Sequence, residues 1–78
     1  MATVVETSPG LHELIGETAG KIWHQLNEHG PSSMPKLIKA IDCPRDQVLL
    51  ATGWLAREEK LTFSDQGRSK IVALKEIV

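Results

Sequence analysis

The hydrophobic period of this chain changes once, and that change restricts the fold more than any other feature. From Leu11 to Glu59 the apolar residues recur at helical spacing, interrupted at Gly30-Pro31 and again at Pro44. From Leu61 onward they alternate or cluster in short branched runs, which is the spacing of strands. Three helices followed by a pair of strands is therefore the element order to explain.

Leu11, Leu14, Ile15, Thr18, Ala19, Ile22 and Leu26 fill one arc of the first helix at about 100° per residue. Glu13, Glu17, Lys21, His24 and Glu28 occupy the other arc, with Glu17 and Lys21 in the favourable i,i+4 order. Trp23 borders the apolar arc and reads as core or partial core. Gly30 supplies a left-handed stop and Pro31 cannot continue the helix. Ser32 or Ser33 then caps a short second helix with Pro35 in its first turn and Leu37, Ile38 and Ile41 as its stripe. After a turn through Asp42 and Cys43, Pro44 is expected to open a third helix, with Asp46 in its positive first turn. The expected helices span 11–29, 33–41 and 44–59. Leu61 and Phe63 begin a hairpin that turns through Ser64-Asp65-Gln66-Gly67 and returns along Ile71 to Leu74. Residues 1–10 read as an arm or short edge strand, and residues 11–78 as one domain.

Helix, helix, short turn, helix and hairpin make an α+β winged helix-turn-helix, the hairpin being the wing. With this order in place the chain resembles a family of short, stand-alone bacterial winged helix-turn-helix proteins, many without an assigned role. The resemblance covers about residues 14–76. Its most recognisable stretch is Gly53-Trp54-Leu55-Ala56-Arg57-Glu58-Glu59-Lys60-Leu61, where the third helix passes into the wing. It implies a compact, dimer-forming domain and carries no catalytic residues over. The turn Ile41-Asp42-Cys43-Pro44 departs from the pattern in lacking the glycine common there.

Seventy-eight residues hold one domain, and a core of that size supplies only about 3–5 kcal/mol of net stability without a disulfide or metal. Oligomerisation is the usual supplement. Hydrophobic residues at 41% and charged residues at 24% exclude a disordered tail, and no run approaches the ~18 apolar residues of a membrane span. Cys43 is the single cysteine, so an intramolecular disulfide is excluded and a reducing, cytoplasmic setting is expected. The net charge of −1 conceals an asymmetry: residues 1–29 set Lys21 against four glutamates, whereas residues 30–75 carry eight basic and five acidic side chains. A pI near 6.3 is well below the ~9 usual for a nucleic-acid-binding domain, so the excess allows phosphate contact without arguing for it.

Candidate chemistry is sparse. His24 and Glu28 have the i,i+4 spacing of two metal ligands, yet two ligands do not make a site, and neither Cys-x-x-Cys nor His-Glu-x-x-His occurs. Cys43 lies at the expected cap of the third helix beside Arg45, but no base is assignable to it, so a packing role is expected and catalysis is not. No metal or cofactor is expected either. Gly16 and Gly20 form a small-x-x-x-small pair in the first helix, where each costs about 0.8–1.0 kcal/mol relative to Ala, and close approach of another chain is one reason to keep them.

The third helix is the sharpest evidence, because it is the element that reads DNA in this fold. With Val48, Ala51, Thr52 and Leu55 facing the core, the opposite arc presents Asp46, Leu50, Gly53 and Arg57, flanked by Leu49 and Trp54. Half of that arc is apolar, so Leu49, Leu50, Gly53 and Trp54 are expected to form a homodimer or protein-partner interface. The expected function is a non-enzymatic, homodimeric interaction module using this helix and the wing. The alternative is a DNA-binding regulator in which Gln47 and Arg57 meet base edges while Lys36, Lys39, Arg45, Arg68 and Lys70 meet phosphates.

Overall fold

The computed structural model describes residues 10–75, so the expected N-terminal arm and the last three residues lie outside it. The elements run α1 (Gly10–His29), β1 (Ser32–Ser33), α2 (Met34–Ala40), α3 (Arg45–Arg57), β2 (Leu61–Gln66) and β3 (Ser69–Leu74). All the strand pairs are antiparallel, in the order β1-β3-β2. This is the expected winged helix-turn-helix. The two-residue strand β1 has no side-chain signal, since Ser32 and Ser33 join the sheet only through backbone pairing with Val72 and Ile71.

Helix ends follow local chemistry. Gly30 closes α1 at φ +82, with its N–H donating to the Leu26 carbonyl at 2.9 Å. Ser33 caps α2, its hydroxyl accepting from the Lys36 N–H at 3.3 Å, and Pro35 sits in the first turn as expected. Pro44 is the N-cap of α3, not its first helical residue, and its carbonyl accepts the Val48 N–H at 3.0 Å. Cys43 is thereby displaced one position outside the helix and caps nothing. The α2–α3 turn manages without glycine because none of its residues takes a positive φ, and its tight point is the Cys43 N–H donating to the Ile41 carbonyl at 2.9 Å.

The C-terminus of α3 lies two residues before the expected end. There the Lys60 N–H donates to the Leu55 carbonyl at 2.9 Å and the Glu59 N–H to the Ala56 carbonyl at 3.0 Å, the paired bonds of a Schellman motif. Glu59 occupies its left-handed position at φ 58, where glycine is the usual residue. The hairpin also turns later than expected. Ser64, Asp65 and Gln66 continue β2, and the reversal is made by Gly67 and Arg68 alone, with Gln66 opposite Ser69. Gly67 at φ 62 supplies the positive φ that a two-residue hairpin turn requires at its first central position.

One core joins the layers: Ala19, Ile22 and Leu26 from α1, Leu37 of α2 with Ile41 at its cap, Val48, Ala51 and Leu55 from α3, and Leu61 and Val72 from the sheet. Thr18 and Thr52 are buried among them, each hydroxyl donating to a carbonyl one helical turn back, at 2.6 and 2.7 Å. The branched run Ile71 to Leu74 is less available for contact than its composition implies. Val72 is fully buried in the core, Leu74 packs against it, and Ile71 and Ala73 are half-buried.

Candidate interaction surface on the third helix

Helix α3 has to bury one arc and spend the other. Val48, Ala51, Thr52 and Leu55 are the buried arc, as the spacing predicts. The remaining surface holds Arg45, Asp46, Leu49, Leu50, Gly53, Trp54 and Arg57, all exposed. Leu50 and Trp54 are each 49% exposed and Leu49 39%, so the middle of the helix presents large apolar side chains to solvent. Such clustering, rather than any single exposed leucine, marks a contact surface.

The surface continues beyond α3. Gly16, Ala19, Gly20 and Trp23 of α1 line a groove of about 340 Å³ whose opposite wall is Trp54, Leu55 and Lys60. Trp23 is 39% exposed, its ring edge-to-face with His24 at 5.4 Å, so it belongs to this groove and not to the core. Trp23 was expected as core or partial core at the border of the apolar arc; one position past Ile22, it lies beside the core and faces Trp54 and Leu55 of α3 across the groove. The two α1 glycines are open to solvent, since a Cβ added at either would meet nothing within 4 Å. Sequence spacing flagged Gly16, Gly20 and Trp54 separately; only the packing of α1 on α3 places them together. Lys60 carried no sequence signal for this role.

The candidate nucleic-acid residues do not converge in the same way. Gln47 is half-buried and turned toward α1, its Nε2 donating to the Thr18 hydroxyl at 2.8 Å, which removes it from the outward arc. To meet a base edge its amide would first have to leave Thr18. Lys70 forms an ion pair with Asp65 at 2.6 Å across the hairpin, with both side chains largely exposed. Arg68 stands at the hairpin turn, Lys36 and Lys39 lie exposed on α2, and Arg45 and Arg57 mark the two ends of α3. Asp46 sits in the first turn of α3 between these cations.

Cys43 is half-buried at the junction of α1 and α3, with the Thr18 hydroxyl 3.8 Å and the Lys21 Nζ 3.7 Å from its Sγ. The single hydroxyl proton of Thr18 is committed to the Leu14 carbonyl, so the sulfur contact is one of packing. Among the described residues no three His, Cys, Asp or Glu side chains are grouped to hold a metal ion. A broader depression of about 630 Å³, between the end of α1 and the hairpin, is lined by Leu26, Pro31, Thr62 and Leu74 with Lys75 as its one charged residue. Lys75 is itself paired with Glu59 at 3.2 Å. No helix of the described residues is long and apolar enough to cross a membrane.

Comparison with known proteins agrees with the fold. The winged helix-turn-helix domain family DUF2582 matches residues 11–74. The chain is 38% identical over 63 residues to the uncharacterised protein MJ1608 of the archaeon Methanocaldococcus jannaschii, covering 78% of this chain and 90% of that one. The resemblance is therefore not confined to bacteria. Among solved structures, the solution structure of BT2368 from Bacteroides thetaiotaomicron is similar with a TM-score of 0.71 and 34% identity, over 80% of this chain and 76% of that one. The crystal structure of AF1382 from Archaeoglobus fulgidus, at TM-score 0.59 and 17% identity over 82% of this chain and 70% of that one, shares the fold alone.

Proposed function

The chain belongs to the DUF2582 family of winged helix-turn-helix domains, and on that premise we propose that it is a non-enzymatic protein-contact module whose working surface is the outward face of α3. The carrying observation is that Leu50 and Trp54, each half exposed, occupy the centre of the helix that a DNA-reading member of this fold class would press into a groove. Base edges are read by amide, guanidinium and hydroxyl groups, and an apolar pair at that position would leave those edges without partners. A protein partner gains from the same pair, because burying a large apolar side chain is worth about 1.5–3 kcal/mol. Gln47, the one amide on the helix, is engaged with Thr18 and supports this reading by its absence from the arc. Phe63, 46% exposed, is the apolar residue the wing adds to the exposed surface.

A second reading keeps the exposed cations in use. Lys36, Lys39, Arg45, Arg57, Arg68 and Lys70 would support weak, sequence-independent phosphate contact. The test is duplex binding measured across a salt series, alongside a variant with Lys36, Lys39, Arg68 and Lys70 all changed to Ala. The expected outcome is binding that is weak at low salt, lost near physiological salt, and abolished in the variant. Tight, sequence-specific binding that survives physiological salt and depends on Arg57 would overturn the protein-contact reading in favour of a DNA-binding regulator.

A further inference from the structure

Both tryptophans of the chain line a single groove, Trp23 from α1 and Trp54 from α3. Among the described residues the one aromatic pair is Trp23 with His24, edge to face, which leaves neither indole stacked on another ring. Lys60 is the one charged residue of the lining. Its backbone is held on both sides, the N–H donating to the Leu55 carbonyl and the carbonyl accepting the Lys75 N–H, each at 2.9 Å. Glu59, the acid beside it in sequence, is drawn to Lys75 at 3.2 Å, and among the described residues no carboxylate pairs with Lys60. Two flat apolar faces and an unpaired ammonium therefore border the same space. We propose that this groove binds a small planar aromatic anion, a carboxylate on one or two fused rings, with the ring system against the indoles over Gly16 and Gly20 and the acid group at Lys60.

The volume of about 340 Å³ is near the lower end of the roughly 300–1,000 Å³ of small-molecule sites, which suits one or two rings rather than a larger ligand. Planarity follows from the indoles, because an aromatic ring gains from offset or edge contact with them beyond the area it buries. The sign of the charge follows from Lys60. An ammonium ligand would also be drawn to two indoles, but a lysine at the edge repels it, and no acid lines the groove to offset that repulsion. Gly16 and Gly20 set the floor. Neither has a positive φ, and a Cβ at either would meet nothing within 4 Å, so nothing within the chain calls for glycine there. A longer side chain at 16 or 20 would stand in the space that the ring system takes. This site is separate from the protein-contact face in all but one residue: Leu49, Leu50 and Gly53 lie outside the lining, and Trp54 alone is shared.

The experiment is a titration of the full chain followed by the two indole N–H signals of a nitrogen–proton correlation spectrum, which report this groove because the chain has no other tryptophan. The probes are naphthoate, naphthalenemethanol as its uncharged counterpart, and the saturated decalin carboxylate. Naphthoate should shift both signals saturably, with a dissociation constant on the order of 10⁻⁴ M for a site partly open to water. Naphthalenemethanol should bind ~3–5-fold more weakly, the worth of one exposed ion pair, and the decalin carboxylate ~10-fold more weakly, for want of stacking. Lys60→Met should bring naphthoate down to the affinity of naphthalenemethanol and leave that of naphthalenemethanol unchanged. Gly20→Leu should weaken naphthoate by ~10-fold or more, while its thermal midpoint holds or rises with the gain in helix propensity. Indole signals that do not move saturably up to millimolar naphthoate overturn the site, as does binding indifferent to Gly20→Leu. Equal affinity for the acid and the alcohol, or naphthoate binding unchanged in Lys60→Met, overturns the anion. Equal affinity for the saturated acid overturns the aromatic ring.

Discussion

Removing the hydrogen bond between Gln47 and Thr18 should lower stability by about 1 kcal/mol, and the measurement bears directly on what α3 is for. Thr18 is 1% exposed and its hydroxyl has two tasks, donating to the Leu14 carbonyl at 2.6 Å and accepting from Gln47 Nε2 at 2.8 Å. Thr18→Val puts a methyl where the hydroxyl was, with nearly the same shape. The Leu14 carbonyl keeps its helical partner, so the group left without a mate is the Gln47 amide. Because Gln47 is only half-buried, it relaxes toward water, which keeps the cost near the ~1 kcal/mol of a single net hydrogen bond rather than the larger cost of a stranded buried donor. For a domain of this size that is a fall of roughly 4–8 °C in thermal midpoint. Gln47→Ala loses the same bond and regains a few tenths of a kcal/mol, at about the level of its helix propensity. The two changes should therefore not add: the double-mutant cycle should give a coupling of about 0.5–1.5 kcal/mol. Urea and thermal melts followed by circular dichroism would measure it, with all four proteins at one concentration so that any linked association is held constant. A coupling below about 0.3 kcal/mol would refute the reasoning. Gln47 would then be free of α1, and its amide would again be available to the outward face.

The remaining predictions concern the frame that carries that face. Glu59→Gly should stabilise the domain by about 0.5–1 kcal/mol in denaturant melts, because relief of a left-handed L-residue outweighs the extra chain entropy of glycine. The exposed pair of Glu59 with Lys75 offers little to offset that gain, and a destabilised variant would refute the reasoning. Ile22→Ala, at a fully buried position in the core cluster, should cost about 2–5 kcal/mol, a large part or all of the domain's net stability, read as a sharply lowered midpoint or loss of the folded signal by circular dichroism. A folded variant with an unchanged midpoint would mean that the core is not built around α1.

What was legible in the sequence is what local chemistry and period decide. The arc of α1, the Gly30-Pro31 stop and the Ser33 cap all depend on residues within one or two turns of each other, and each falls where the spacing puts it. The end of α3 was misplaced because a glutamate holds the left-handed position that glycine normally announces. The hairpin turn was misplaced for a related reason: Ser64, Asp65 and Gln66 are turn formers by type, and the backbone ladder that pairs them with Ile71, Lys70 and Ser69 is what keeps them in strand. The strand β1 had no signal at all. Two serines become part of a sheet because β3 offers an unpaired edge beside them, a fact of tertiary structure alone.

The candidate surface divides along the same line, and the division says something about how it works. Leu50, Gly53 and Trp54 could be placed on the outer arc of α3 because one helix fixes their relation. The groove could not, because it exists only where Gly16, Gly20 and Trp23 on α1 come to face Trp54 across the helix pair. Gln47 was assigned to the outside for the same reason, since its neighbour Thr18 is remote in sequence and near only after folding. The packing of α1 on α3 thus does two things at once: it engages the one amide of α3 with Thr18 and extends the exposed apolar surface. Of the base-reading groups on α3 only the guanidiniums of Arg45 and Arg57, at its two ends, stay exposed, while its middle carries large apolar residues around a glycine, the kind of face that another helix can cover. If that were not its role, exposing Leu49, Leu50, Trp23 and Trp54 together would only favour aggregation, and a polar residue at any of them would improve the chain at no cost to its fold.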